Sequence, residues 1–244
     1  MTTQDDFDRF VAMQRGVRAR ALRELVKWWA SVAHLPQDEV IAAANDYVPA
    51  LAQTFGELSA TAAAQFYDDA RADAGPLSRF TAGMAPSGAA DQARAEMGWA
   101  WPKLQSDPLD ALDRLSGVVD AAALQDGRST IVYNSERDRS HPSWSRVPVG
   151  NTCAWCLMLA SRGAVYWTAA TAGANKKFHR QCDCQPVPSW IPDESDLPPS
   201  YKKDELYDLY RRAREDAGSG NPKAIMRALR RLDGGVHVSD GVPN

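Results

Sequence analysis

The sequence predicts a mainly α protein with a small α+β metal-binding module, and three features of its 244 residues carry that expectation. Apolar residues in the first half recur every three or four positions with charges between them, the pattern of helices that bury one stripe. All four cysteines, with one histidine among them, fall between positions 153 and 184, the density of a small module stabilised by a metal. Two short helical patterns follow a Pro-rich stretch. The expected organisation is a helical region over 1–143, a Cys/His module over 144–190, and a Pro-rich linker with short C-terminal helices over 191–244. An apolar content of 44% is ordinary for a globular chain, while a net charge of −3 excludes a protein whose whole surface grips nucleic acid. The richest apolar stretch, residues 25–35, is interrupted by Lys27 and stops at Pro36, so no membrane span is expected and the chain reads as soluble.

Phe7, Phe10, Val11, Val17, Leu22, Leu25, Val26, Trp29 and Val32 define a first amphipathic helix reaching about His34. Its arginines alternate with Asp5, Asp6, Asp8 and Glu24, the mixture of a solvated face. Beyond Pro36 a second stripe runs through Val40, Ala44, Tyr47, Val48, Leu51, Phe55, Leu58, Ala62 and Phe66, with Pro49 as a potential kink and an alanine-dense run that lets helices approach closely. Residues 74–76 and 83–88 read as loops, residues 92–97 as a short helix, and Trp99 and Trp101 as packing anchors. Ser106-Asp107-Pro108 is a helix start, with a capping residue followed by proline in the first turn and Leu109, Leu112, Leu115, Val118, Val119, Ala122 and Leu124 as the apolar face. Residues 128–139 carry conflicting signals: Thr130-Ile131-Val132-Tyr133 favours a strand and the flanking charges favour a helix.

Residues 141–144 read as the linker into the module. Within it, residues 157–160 suggest a helical turn closed by Arg162-Gly163, Val165-Tyr166-Trp167 a strand, and 169–175 a small-residue loop. Two helices are then expected, over about 204–216 and 222–232, the second stopped by Gly234-Gly235.

The chemistry concentrates in Cys153-x2-Cys156 and, after 22 residues, His179-x2-Cys182-x-Cys184. Two cysteines two residues apart close a tight turn around a tetrahedral ion, and a second cluster on a later segment completes the shell; zinc is the natural occupant, one per chain. Five donors compete for four positions. An extended chain from Cys182 places Cys182 and Cys184 on one face, giving a four-cysteine site with His179 spare. A turn at Arg180-Gln181 instead gives three cysteines and His179.

Other readings of these residues explain less. A thioredoxin-like Cys-x-x-Cys leaves Cys182, Cys184 and His179 without a role. Structural disulfides expect export, and no basic, apolar leader opens the chain. A zinc deaminase needs its histidine upstream of the cysteine pair. A hydrolase or nuclease would use His179 as general base with partners among Asp183, Asp193, Glu194 and Asp196, acidic residues in a stretch more typical of solvated charge. A DNA-binding zinc module would rest on Arg162, Lys176, Lys177 and Arg180. No catalytic residue is assigned, and the chain is not expected to be an enzyme. Because metal binding in so small a module is linked to its folding, metal loss is expected to unfold 144–190 and spare the N-terminal helices.

Arg146-Val147-Pro148, Cys153-Ala154-Trp155-Cys156, Leu159-Ala160-Ser161-Arg162-Gly163 and Phe178-His179-Arg180-Gln181-Cys182-Asp183-Cys184 together resemble the minor capsid, or head morphogenesis, proteins of tailed bacteriophages of the Mu F type, in the form carried by actinobacterial phages. The close match covers about 144–190. It implies a structural protein of the virion, located inside the phage head after assembly in the host cytoplasm. The implied partners are the portal, the scaffold and the major capsid proteins, with contact to packaged DNA and none to a membrane.

Overall fold

Two long helices open the chain, α1 over Gln4–Val32 and α2 over Gln37–Ala74. The computed structural model describes residues 2–76, 78–150, 152–168, 178, 182–191, 194 and 196–234. The Thr3 hydroxyl caps α1 by accepting the amide hydrogen of Asp6 at 3.1 Å, and Asp5 and Asp6 stand where the helix dipole favours negative charge. Pro49 lies inside α2, which continues past it as one helix. A short α3, Ala89–Met97, and a single 3-10 turn at Trp101–Lys103 lead into α4, Pro108–Arg137, which Asp107 caps through the Asp110 amide at 3.0 Å. Trp101 packs on the core as expected of an anchor, whereas Trp99 is half exposed with Arg114 lying over its ring at 4.4 Å.

The conflicting stretch 128–139 is helical as far as Arg137, and the reason is tertiary. Asp126, Thr130 and Asn134, spaced by four, form one polar face of α4 that holds the loop before α3. Asp126 accepts the Gly88 amide at 3.0 Å, Thr130 the Ala85 amide at 3.1 Å, and Asn134 both accepts from and donates to Gly83, at 3.0 and 2.8 Å. Those bonds, with burial of Ile131 and Val132, outweigh the local preference of the β-branched run for a strand.

Gly127 marks where α4 crosses α2. A methyl there would collide with the Ser59 hydroxyl and stand 2.9 Å from the Ser59 carbonyl and 3.1 Å from Gln14 Nε2. Gln14 of α1 completes this junction, donating to the Ser59 carbonyl at 3.0 Å and accepting the Ser59 hydroxyl at 2.6 Å. A buried polar pair is satisfied here because all three backbones approach closely.

Residues 143 and 144 are not linker. They begin β1, Ser143–Val147, which pairs antiparallel with β2, Gln185–Ser189, in the register Ser143↔Ser189 to Val147↔Gln185. Burial of Trp144 drives this: it is fully enclosed, tilts against Tyr166 at 4.7 Å, and its amide donates to the Tyr166 carbonyl at 2.8 Å. The expected strand at 165–167 reduces to that one bridge. Pro186 and Pro188, two apart, place both missing amide hydrogens on one edge of β2, the edge turned away from β1. Between the strands lies α5, Ala154–Ala160, and after them come α6, Lys203–Ala217, and α7, Pro222–Asp233, closed by left-handed Gly234 at φ 60°. Residues 169–175 and Gly235 lie outside the described residues.

The three largest apolar cores among the described residues are these. The first joins the C-terminal half of α1 to α2, α3 and the first part of α4. The second gathers Phe7, Phe10, Phe66, Tyr67 and Ile131 from the long helices with Val147, Ala164 and Val187 from the strand region, and Phe10 stacks on Phe66 at 4.4 Å. The third packs Leu157 and Met158 of α5 against Leu206, Leu209, Ile225 and Leu229 of the two C-terminal helices.

Candidate metal centre

Cys153 is extended and caps α5, its sulfur accepting the Cys156 amide hydrogen at 3.2 Å. That bond closes the first cysteine pair into a knuckle with both thiols buried. Cys182 and Cys184 arrive on the segment entering β2, which the strand register lays beside the end of β1. The Cys156 and Cys182 sulfurs stand 3.3 Å apart, and the ligand atoms of Cys156, Cys182 and Cys184 all lie within 4.8 Å of one another. Four sulfurs bound to zinc at about 2.3 Å would be about 3.8 Å apart, so the three have the spacing of a metal shell. This buried cluster can bind a metal ion. Cys153 is not in the close trio but belongs to the same buried cluster, against which Trp155 and Phe178 pack. His179, the fifth sequence candidate, lies outside the described residues.

Two arginines enclose the sulfurs. Arg146, from the β1 position paired with Pro186, donates to the Cys156 sulfur at 3.1 Å. Arg128, from α4, donates to the Cys184 carbonyl at 3.2 Å and to the Cys182 carbonyl. Both guanidiniums lie against the Phe178 ring, at 4.3 Å for Arg128 and 3.7 Å for Arg146, and both residues are almost wholly buried. A third arginine, Arg18 of α1, bridges Asp120 of α4 at 2.6 Å and Asp183 at 2.5 Å, so the Cys182–Cys184 segment is held from two helices.

The thiols are electrostatically unequal. The Cys153 thiol is held below its ordinary pKa, chiefly by its side-chain hydrogen bond with Cys156 and against the opposing effect of burial. For Cys156, the hydrogen bond with Cys153 acts upward, but Cys182, Cys184 and the Arg146 charge prevail and bring the thiol to about 7. Cys184 is pushed up by its bonds with Cys156 and Cys182 and by burial. A cluster in which some thiols ionise readily while others resist is one that a cation would deprotonate together.

The acidic residues considered as catalytic partners have other work. Asp183 binds Arg18, Glu194 binds Lys203 at 2.9 Å, and Asp196 accepts from the Ser189 hydroxyl at 2.6 Å and the Trp190 amide at 2.5 Å. Arg162 is exposed beside Tyr166, while Lys176, Lys177, Arg180 and Asp193 lie outside the described residues. Sequence reasoning did not single out Arg128, Arg146 or Phe178 as parts of the site. Arg146 and Phe178 stood inside the quoted motif, where proximity to the cysteines was the available signal; Arg128, in a different element, offered none.

A family model described as VG15 protein matches residues 1–213, most of the chain, and the chain belongs to that family. No curated protein and no solved structure matches it.

Proposed function

We propose that this member of the VG15 family is a structural minor capsid protein of a tailed bacteriophage, acting in head morphogenesis near the portal, with one structural zinc per chain held by its cysteine cluster. The observation that carries the reading is the collapse of Cys-x2-Cys and Cys-x-Cys, far apart in sequence, into one buried thiol cluster. Soft sulfur donors select zinc over hard cations, and an enclosed thiolate shell is the form of a structural rather than a catalytic site. When bound, the ion supplies cross-linking of the α5 knuckle to the segment entering β2. The structural engagement of Asp183, Glu194 and Asp196 supports the same reading, because a hydrolase at this site would need a carboxylate free to move a proton.

The reading places the protein inside the head, with the portal, scaffold and coat proteins as partners. Co-expression with those proteins from the same genome should yield heads that contain this chain, and crosslinking should join it to the portal. Heads assembled normally with the chain left outside, or a metal-dependent nuclease activity of the purified protein, would refute it. Protein purified without chelator should contain about one equivalent of zinc by elemental analysis.

A further inference from the structure

We infer that the C-terminal pair of helices, α6 and α7, presents a basic surface that binds double-stranded DNA through its phosphates, without reading sequence. The inference goes beyond the capsid reading and requires neither the zinc nor the portal.

Residues 211–231 hold seven of the chain's 28 lysines and arginines but only two of its 31 aspartates and glutamates, in a protein of net charge −3. Arg211 pairs with Asp208 at 3.4 Å and Arg231 with Asp216, whereas Arg212, Arg214, Lys223 and Arg227 are exposed and make no ion pair among the described residues. Gly218, left-handed at φ 56°, ends α6 and turns the chain toward α7, so Arg214 and Lys223 flank one turn. Arg227 follows Lys223 by one helical turn, on the face of α7 opposite the buried Ile225, Ala228 and Leu229. Helix stability does not account for these cations together. The dipole favours Arg214 in the last turn of α6, but it opposes Lys223 in the first turn of α7.

A helix that lies on a membrane needs its apolar face for the lipid. Here Leu206, Leu209 and Ala213 of α6 and Ile225, Ala228 and Leu229 of α7 are already buried against α5. A protein interface needs an apolar or aromatic centre, and the exposed Tyr207 and Leu232 both stand outside 211–231. A polyanion needs neither. Duplex DNA presents one charge per about 1.7 Å of its axis, so cations spread over two helices can each meet a phosphate. This stretch is separate in sequence from Arg162, Lys176, Lys177 and Arg180, on which a DNA-binding zinc module would rest.

Fluorescence anisotropy of a labelled random-sequence DNA duplex, titrated with the full-length protein, tests the inference. Four phosphate contacts give an expected log–log salt slope of about −3.6, or about a 100-fold loss of affinity between about 50 and 200 mM salt. Arg214→Gln combined with Lys223→Gln, both at exposed positions, should keep the helical dichroism and make the slope shallower by about 1.8. No binding at about 50 mM salt, or a slope that the double variant leaves unchanged, overturns the inference. Poly-glutamate bound as tightly as the duplex overturns it too, as does capture by phosphatidylserine–phosphatidylcholine vesicles without binding of DNA.

Discussion

Asp138 shows how much one residue can organise when burial and pairing are matched. It follows the last turn of α4, where its carboxylate accepts Arg71 Nε at 2.7 Å and the Ser140 amide at 2.9 Å, with Tyr67 and Trp190 each donating at 3.4 Å. Burial pushes the carboxyl up, but the Arg71 hydrogen bond, the Ser140 amide and hydroxyl, and the Arg71 charge prevail and hold it below the ordinary value. A depressed carboxylate contributes stability that is present above its unfolded pKa of about 3.9 and lost as pH falls through its folded value. Chemical denaturation of the wild type between about pH 5 and pH 2 should therefore show a steep acid loss that is shallower in Asp138→Asn. At neutral pH the same variant should be less stable by about 3–5 kcal/mol, because Arg71 remains buried without its anion. A pH profile unchanged by the substitution would show that Asp138 has no part in the acid transition.

Among the helices, close approach decides the sign of a glycine substitution. At Gly127 the new methyl would meet the Ser59 backbone carbonyl at 2.9 Å and the Gln14 amide at 3.1 Å, so α2 and α4 must separate or the Gln14–Ser59 pair must break. Gly127→Ala is expected to destabilise by about 1–3 kcal/mol. Gly16, inside α1, meets nothing within 4 Å, and Gly16→Ala should stabilise by about 0.5–1 kcal/mol through the lower entropy of the unfolded chain. Denaturant titration of the two variants side by side tests the geometry, and two shifts of the same sign would contradict it.

Across the molecule, the cysteine cluster and the helical body are interlocked. Arg128 and Arg18 reach from α4 and α1 to the Cys182–Cys184 segment, the second core joins the long helices to both strands, and α6 and α7 rest on α5. These contacts favour unfolding as one unit over the module at 144–190 melting alone, and the two outcomes are separable. If the proposed zinc is bound, chelation, like Cys156→Ser, should lower the thermal midpoint of the whole chain, with far-ultraviolet dichroism and tryptophan fluorescence reporting one coincident transition. An early fluorescence change with the helical signal intact would restore the independent module. No helix among the described residues is long and apolar enough to cross a membrane.

The sequence by itself determined what depends on short-range spacing: the long helices, the Asp107-Pro108 start, the end of α7 at Gly234, and the cysteines as a set. Periodicity and capping act within a few residues, so they can be read without knowing what lies opposite. Only the tertiary structure decided that 128–137 is helix, because the bonds that favour it run from Asp126, Thr130 and Asn134 to a loop 38 to 51 residues earlier. It alone made residues 143 and 144 a strand, since Trp144 is enclosed by Val132 and Tyr166 from elsewhere in the chain. It also drew Arg128 and Arg146 to the cysteines. A guanidinium in a sequence reads as solvated surface, and its burial becomes tolerable only where distant segments supply hydrogen-bond acceptors and negative charge, a condition no local pattern encodes.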